Sequence, residues 1–177
     1  KTIQKLVKSY EKTLKSIIKE LSKSNNTYLT PSDLSFKELS VEDLLRINSE
    51  NMLEDVYELS PLQEGIYYHW LSEESNALYF GQMCYRVKTK GLNIENLKRA
   101  YDSLVARHGV LRTSFSNDYA GRSLQIVWKE VPSNFTYEKI EDQQGKQEYL
   151  QDIRQKDIAR GFDLSSPSQM RLHIIDL

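Results

Sequence analysis

Residues 93–115 change their periodicity once, and that switch constrains the fold more than any other feature of the chain. Ile94, Leu97, Tyr101, Leu104 and Val105 recur at helical spacing behind Asn93, an N-cap residue with Glu95 in the first turn. Arg107 and His108 stand where a helix dipole favours positive charge, and Gly109 is placed to end the helix. Leu111, Thr113 and Phe115 then alternate as a strand. A helix handed almost directly to a strand packs on the sheet that the strand enters, which predicts helices layered on a sheet.

The rest of the chain extends that pattern. Residues 1–24 read as a helix, with Ile3, Val7, Tyr10, Leu14, Ile17 and Leu21 on one face and Lys1, Lys5, Lys8, Lys12, Lys15 and Lys19 opposite. A docked stripe with lysines in water is the expectation; a helix lying on a membrane surface is the alternative. SKSNNTYLTPSDLS reads as a linker. Ser40 caps a short helix carrying Leu44, Leu45 and Ile47. Ser60, Pro61, Leu62 and Gln63 form a capping box with proline at the first helical position, and Leu62, Ile66, His69 and Trp70 are assigned to one face. His69 reads as a packed or half-exposed helix residue.

Ala77 to Thr89 alternates as a strand, with Tyr79, Gly81, Met83, Tyr85 and Val87 on one side and Phe80, Gln82, Cys84 and Arg86 on the other. Asn117 to Gly121 is a turn. Residues 122–129 and 135–140 are expected as antiparallel neighbours. Residues 145–160 form a helix ended by Gly161, and 170–177 a last strand. The chain shows no internal repeat, metal-ligand cluster or phosphate-cradling glycine loop.

Composition bounds the function. With 177 residues, 39% hydrophobic and 28% charged, the chain can bury a core. A formal net charge of −1 argues against nucleic acid as a partner. No apolar run approaches the roughly 20 residues of a membrane span. Cys84 has no second cysteine to pair with, which fits a reducing, cytoplasmic setting; it reads as a small strand residue. Beginning at Lys1, with no signal peptide, the chain reads as a piece of a longer one.

Two motifs carry a resemblance. DVYELSPLQEGIYYHWL, residues 55–71, resembles the first motif of condensation domains of nonribosomal peptide synthetases, and RHGVLRTSF, residues 107–115, resembles their second, RHxxLRTxF. The intervening strand, turn and helix, and GFDLSSPSQMRLHIIDL after them, follow the family's order. The resemblance implies an α/β two-layer sandwich like the N-terminal half of a chloramphenicol-acetyltransferase-like condensation domain, with an extra N-terminal helix. It implies three parts: 1–24, the end of a preceding epimerization-type domain; 25–54, a linker with a short helix; and 55–177, the N-terminal part of a condensation domain. The SPLQEG form is similar to the subtype that follows an epimerization domain and accepts a donor ending in a D-residue.

The resemblance further implies amide formation between peptidyl and aminoacyl thioesters delivered by carrier proteins. No cofactor is bound directly, since phosphopantetheine arrives on the carriers, and neighbouring synthetase domains are partners. The family's catalytic motif, HHxxxDG, does not occur in these residues. His173-Ile-Ile-Asp176 has one histidine at the wrong spacing, so His173 reads as a strand residue and no catalytic residue is assigned. Arg112 matches the arginine that pairs with the aspartate of HHxxxDG and supports the active site. Without that partner it is expected to turn to solvent or find another carboxylate. Ser60, Gln63, Arg107 and His108 are motif residues with capping, packing and helix-end roles, and Gly109 replaces an acidic residue common in the family. The alternatives are a non-catalytic docking or linker module for carrier proteins, and part of an epimerization domain, whose second motif starts with two histidines rather than Arg107-His108. The final strand is expected to lack covering elements, which invites self-association.

Overall fold

The computed structural model of the chain describes residues 2–23, 28–50, 52–72, 79–89, 91–140 and 145–177. The boundary expected at 24/25 and the first two residues of the strand expected from Ala77 lie outside these. The chain divides into two compact units, Lys1–Thr30 and Pro31–Leu177. The first contains α1 (Thr2–Leu21), as its periodicity predicts. None of its residues is buried; Leu6 and Ile18 widen the exposed apolar stripe, and Lys15 pairs with Glu11 one turn away.

The second unit holds α2 (Val41–Ile47), β1 (Leu53–Glu58), α3 (Pro61–Ser72), α4 (Ile94–Arg107), β2 (Thr113–Tyr119), β3 (Arg122–Trp128), β4 (Phe135–Lys139), α5 (Lys146–Arg160) and β5 (Leu172–Asp176). Short 3-10 turns occupy Pro31–Asp33 and Gly109–Arg112. β1, β3 and β2 form an antiparallel sheet in that order. Its hairpin turns at Ala120 and Gly121, both with positive φ, as a tight turn matched to strand twist requires.

The pairing fixes which residues share a face. Val56, Ile126 and Ser114 stand in one row across the sheet, and Tyr57, Gln125 and Phe115 in a row on the other face. Leu53, Val56 and Leu124 are fully buried, together with Leu34, Phe36, Leu39, Leu44 and Ile47 from the preceding segment. The stretch expected as a linker thus supplies core from Leu34 onward. Backbone and side chain of Ser35 both donate to the Asp55 carboxylate, and the Phe36 amide donates to the Val56 carbonyl, which fastens this segment along β1.

Several expectations give way for identifiable reasons. β4 is not an antiparallel neighbour of β3; it pairs in parallel with β5, Phe135 opposite Leu172, across the α5 crossover. Residues 79–89 form no ladder, and Met83, Tyr85 and Val87 are exposed, so the alternation there is not matched by a pairing partner. α4 is closed by His108 rather than Gly109; the His108 amide donates to the Leu104 carbonyl. Gly109 instead allows close approach, since a Cβ there would meet Val127 Cγ1 at 3.3 Å. On α3, Leu62 and His69 face out while Tyr67 is buried.

Candidate functional site

The first motif builds the start of α3. The Gln63 amide donates to Ser60 Oγ at 3.4 Å, and the Ser60 amide donates to Gln63 Oε1 at 2.9 Å, the reciprocal pair expected from the sequence. The Gln63 side chain then ties the helix to the sheet. Its Nε2 donates to Gln125 Oε1 at 3.2 Å, while Gln125 Nε2 donates back to Gln63 Oε1 at 3.0 Å and to the Glu58 carbonyl at 3.2 Å. Gln125 is 6% exposed, so the pair satisfies amide groups that would be costly to bury alone. Ser60→Ala is expected to cost about 1 kcal/mol, the usual loss of an N-cap, measurable as a shift in urea midpoint at unchanged slope.

The second motif delivers Arg112. Its side chain is 7% exposed. Nε donates to the Val105 carbonyl at 3.1 Å, and Nη1 donates to Glu54 Oε2 at 2.6 Å and to the carbonyls of Trp128 and Lys129. One guanidinium therefore joins the end of α4, the end of β3 and β1. Of the two fates expected for it, the structure shows the carboxylate. Sequence reasoning missed Glu54 and Gln125. Glu54 lies at a bulge in β1, where Leu53 faces Trp128 but Asp55 faces Val127, and such an extra residue re-aims a side chain.

Arg107 and His108 are exposed at the end of α4. His173 lies on β5 with Nε2 3.4 Å from Glu138 Oε2, a strand residue as expected. Cys84 is exposed in the unpaired segment. Ser60, Gln63 and Arg112 are thus built into the joints of one sheet and its two flanking helices, while Arg107 and His108 face out.

A cleft of about 320 Å³ opens beside β2, lined by Tyr67, Phe115, Ser114, Trp128, Arg46 and Asp118 among others. Tyr67 stacks on Trp70 with ring centres 5.7 Å apart and tilts against Phe115 at 6.1 Å. Burial pushes the Tyr67 phenol above its ordinary value, and the charges of Asp118 and Asp163 add to the rise, so it stays neutral. Trp128 Nε1 donates to Ser114 Oγ at 2.8 Å, and the Phe115 amide donates to the Leu164 carbonyl at 2.8 Å, which brings the Phe162-Asp163-Leu164 segment against the edge of β2.

Asp163 organises that segment. The Ser165 hydroxyl, and then that of Ser166, hold its carboxyl below the usual value. A carboxylate with a lowered folded-state pKa stabilises the fold fully above the unfolded pKa of about 3.9 and loses that contribution as pH falls through the lower value. Asp163→Asn is accordingly expected to flatten the fall in urea midpoint on acidification below about pH 4. An unchanged pH profile would show that the serine contacts do not persist in solution.

Comparison with known proteins places these residues in a family context. The condensation domain family model matches residues 53–177. The chain is 33% identical over 183 residues to a linear gramicidin synthase from Brevibacillus parabrevis, a match covering 99% of this chain and 3% of that protein. It is 31% identical over 169 residues to a mycosubtilin synthase from Bacillus subtilis, covering 92% of this chain and 6% of the relative. The chain therefore spans only a few per cent of these synthases. The solved condensation domain of the monacolin K polyketide synthase MokA shares the fold with a TM-score of 0.52 at 17% identity, over 71% of this chain and 28% of that one.

Proposed function

The chain belongs to the condensation domain family, and from that premise we propose that residues 55–177 are the N-terminal part of a nonribosomal peptide synthetase condensation domain. In the parent protein the amine of a carrier-bound aminoacyl thioester attacks a carrier-bound peptidyl thioester and an amide forms. Holding two tethered groups together is the main physical contribution to such a step, with stabilisation of the charge that develops at the tetrahedral centre as the second. The observation that carries this reading is the family match across 53–177.

Within that reading, Arg112 is a support for the active site. It braces the sheet and the end of α4 while the reacting groups lie elsewhere. Ser60 and Gln63 hold α3 as one wall. The partners are peptidyl and aminoacyl carrier proteins and neighbouring synthetase domains; phosphopantetheine comes with the carriers, and the setting is cytoplasmic. α1 is the end of a preceding epimerization-type domain, and the donor ends in a D-residue.

The test uses the parent synthetase with separately loaded carriers and mass spectrometry of the thioester products. Peptidyl transfer is expected from a D-configured donor and not from its L-epimer, and none from the 177-residue chain alone, which lacks HHxxxDG. A parent that forms no amide with either donor would overturn the condensation reading. Equal use of both donors would overturn only the subtype.

A further inference from the structure

We infer that Gln125 is a positioning residue for amide formation: it fixes the corner at which β1 turns into α3, and through that corner the place of the wall that α3 forms. The inference rests on the condensation reading given above. It concerns a residue outside both sequence motifs, on the central strand of the antiparallel sheet.

Gln125 is the polar member of a buried apolar run. Leu124, Ile126 and Val127 beside it are buried, and Gln125 is buried with them. Its row, Tyr57, Gln125 and Phe115, is the face of the sheet toward α3, since Gln63 meets Gln125 and Tyr67 lies against Phe115. A hydrophobic side chain would meet the demands of burial there equally well. An amide adds direction, and fixing register is the best-attested use of a buried polar group. Gln125 Nε2 reaches both the Glu58 carbonyl and Gln63 Oε1, and Gln125 Oε1 accepts from Gln63 Nε2. Main-chain groups at both ends set the orientation of the pair. The Ser60 amide donates to Gln63 Oε1, and the Glu58 carbonyl accepts from Gln125 Nε2. Turning either amide over would set like atoms against each other, so one arrangement of residues 58–63 satisfies every group.

The rest of α3 is held with less direction. Its inward stripe is Gln63, Ile66, Tyr67 and Trp70. Tyr67 meets Phe115 through a ring contact, which tolerates sliding, and Trp70 Nε1 donates a single bond to the Phe162 carbonyl at 3.2 Å. α3 has 12 residues and is about 18 Å long, so a tilt of about 5° at its first turn displaces its far end by about 1.5 Å. Where catalysis consists of holding two groups together, a misplacement of about 1 Å can cost about a hundredfold in rate. Gln125 acts through Gln63 and Glu58, not on the reacting atoms.

The test uses the parent synthetase and separately loaded carriers, with transfer measured at saturating and at limiting carrier. Gln125→Met keeps the length of the side chain and removes its direction. It is expected to lower the saturating rate at least about tenfold and to leave the half-saturating carrier concentration within about twofold. The double variant Gln63→Met/Gln125→Met leaves no amide buried without its partner, so its urea midpoint is expected to exceed that of Gln125→Met while its rate stays low. A midpoint and a rate that move together across these variants would show a merely structural pair and overturn the inference. An unchanged saturating rate with weaker half-saturation would overturn it too, by assigning Gln125 to carrier binding. Should Gln125→Met fail to fold, Gln63→Glu takes its place under the same criterion, because it keeps the acceptor for the Ser60 amide and sets an oxygen against Gln125 Oε1. A wild-type parent that forms no amide overturns the condensation reading and this inference with it. An active wild type with an unaffected Gln125→Met overturns this inference alone.

Discussion

Arg112→Ala is expected to lower the unfolding free energy by about 3 kcal/mol, the low end of the cost of breaking a buried ion pair. The low end applies because the Glu54 carboxylate is about half in water, at 47% exposure. The loss comes mainly from the backbone. Val105, Trp128 and Lys129 would keep carbonyl groups that the guanidinium now satisfies, in a place with few replacements. In thermal unfolding this corresponds to a fall of roughly 10 °C. Arg112→Lys should recover part of it, since one ammonium cannot reach three elements at once. Glu54→Gln should cost under about 1 kcal/mol, as expected for a half-exposed partner. A change of less than about 0.5 kcal/mol for Arg112→Ala, within the range of ordinary surface substitutions, would remove the argument that this residue braces the sheet.

Leu53→Ala comes next, with an expected loss of about 3 kcal/mol, within the range for deleting a buried leucine side chain. Leu53 has no exposed surface and lies where β1 meets the end of β3. The cavity would open beside the bulge that sets Glu54, so the same substitution is expected to weaken the Arg112 pair. Leu62→Ala provides the contrast: at 76% exposure it should change stability by no more than about 0.5 kcal/mol. Urea titrations of the two variants, compared at equal slope, decide between them. Similar losses in both would mean that α3 packs through a different face.

This pair also shows what the sequence could and could not say. Helical spacing and caps mark α1, α2, α4 and α5, because a helix satisfies its backbone within its own segment and writes its face locally. The start of α3 is legible for the same reason. Its inward face is only partly so: Ile66 and Trp70 are half-buried as their spacing implies, but the buried residue is Tyr67, and the half-buried Gln63 is a polar side chain whose partner, Gln125, is far along the chain, so an apolar count selects Leu62 instead. β1 is hidden because its bulge places the buried Leu53 and Val56 three apart, a helical spacing rather than a strand's. The partner of β4 is misread because pairing depends on a crossover, and nothing in Phe135–Lys139 itself distinguishes β3 from β5 as a neighbour.

The order of pairing has a consequence for how the domain emerges during synthesis. All three strands of the antiparallel sheet have been made once Trp128 leaves the ribosome, and its hairpin closes through only Ala120 and Gly121. β4 must wait until Leu172 to Asp176 have followed the whole of α5. Nascent chains stalled at successive lengths should therefore acquire protease resistance in two steps, the hairpin sheet first and the crossover sheet only after β5 has cleared the exit tunnel.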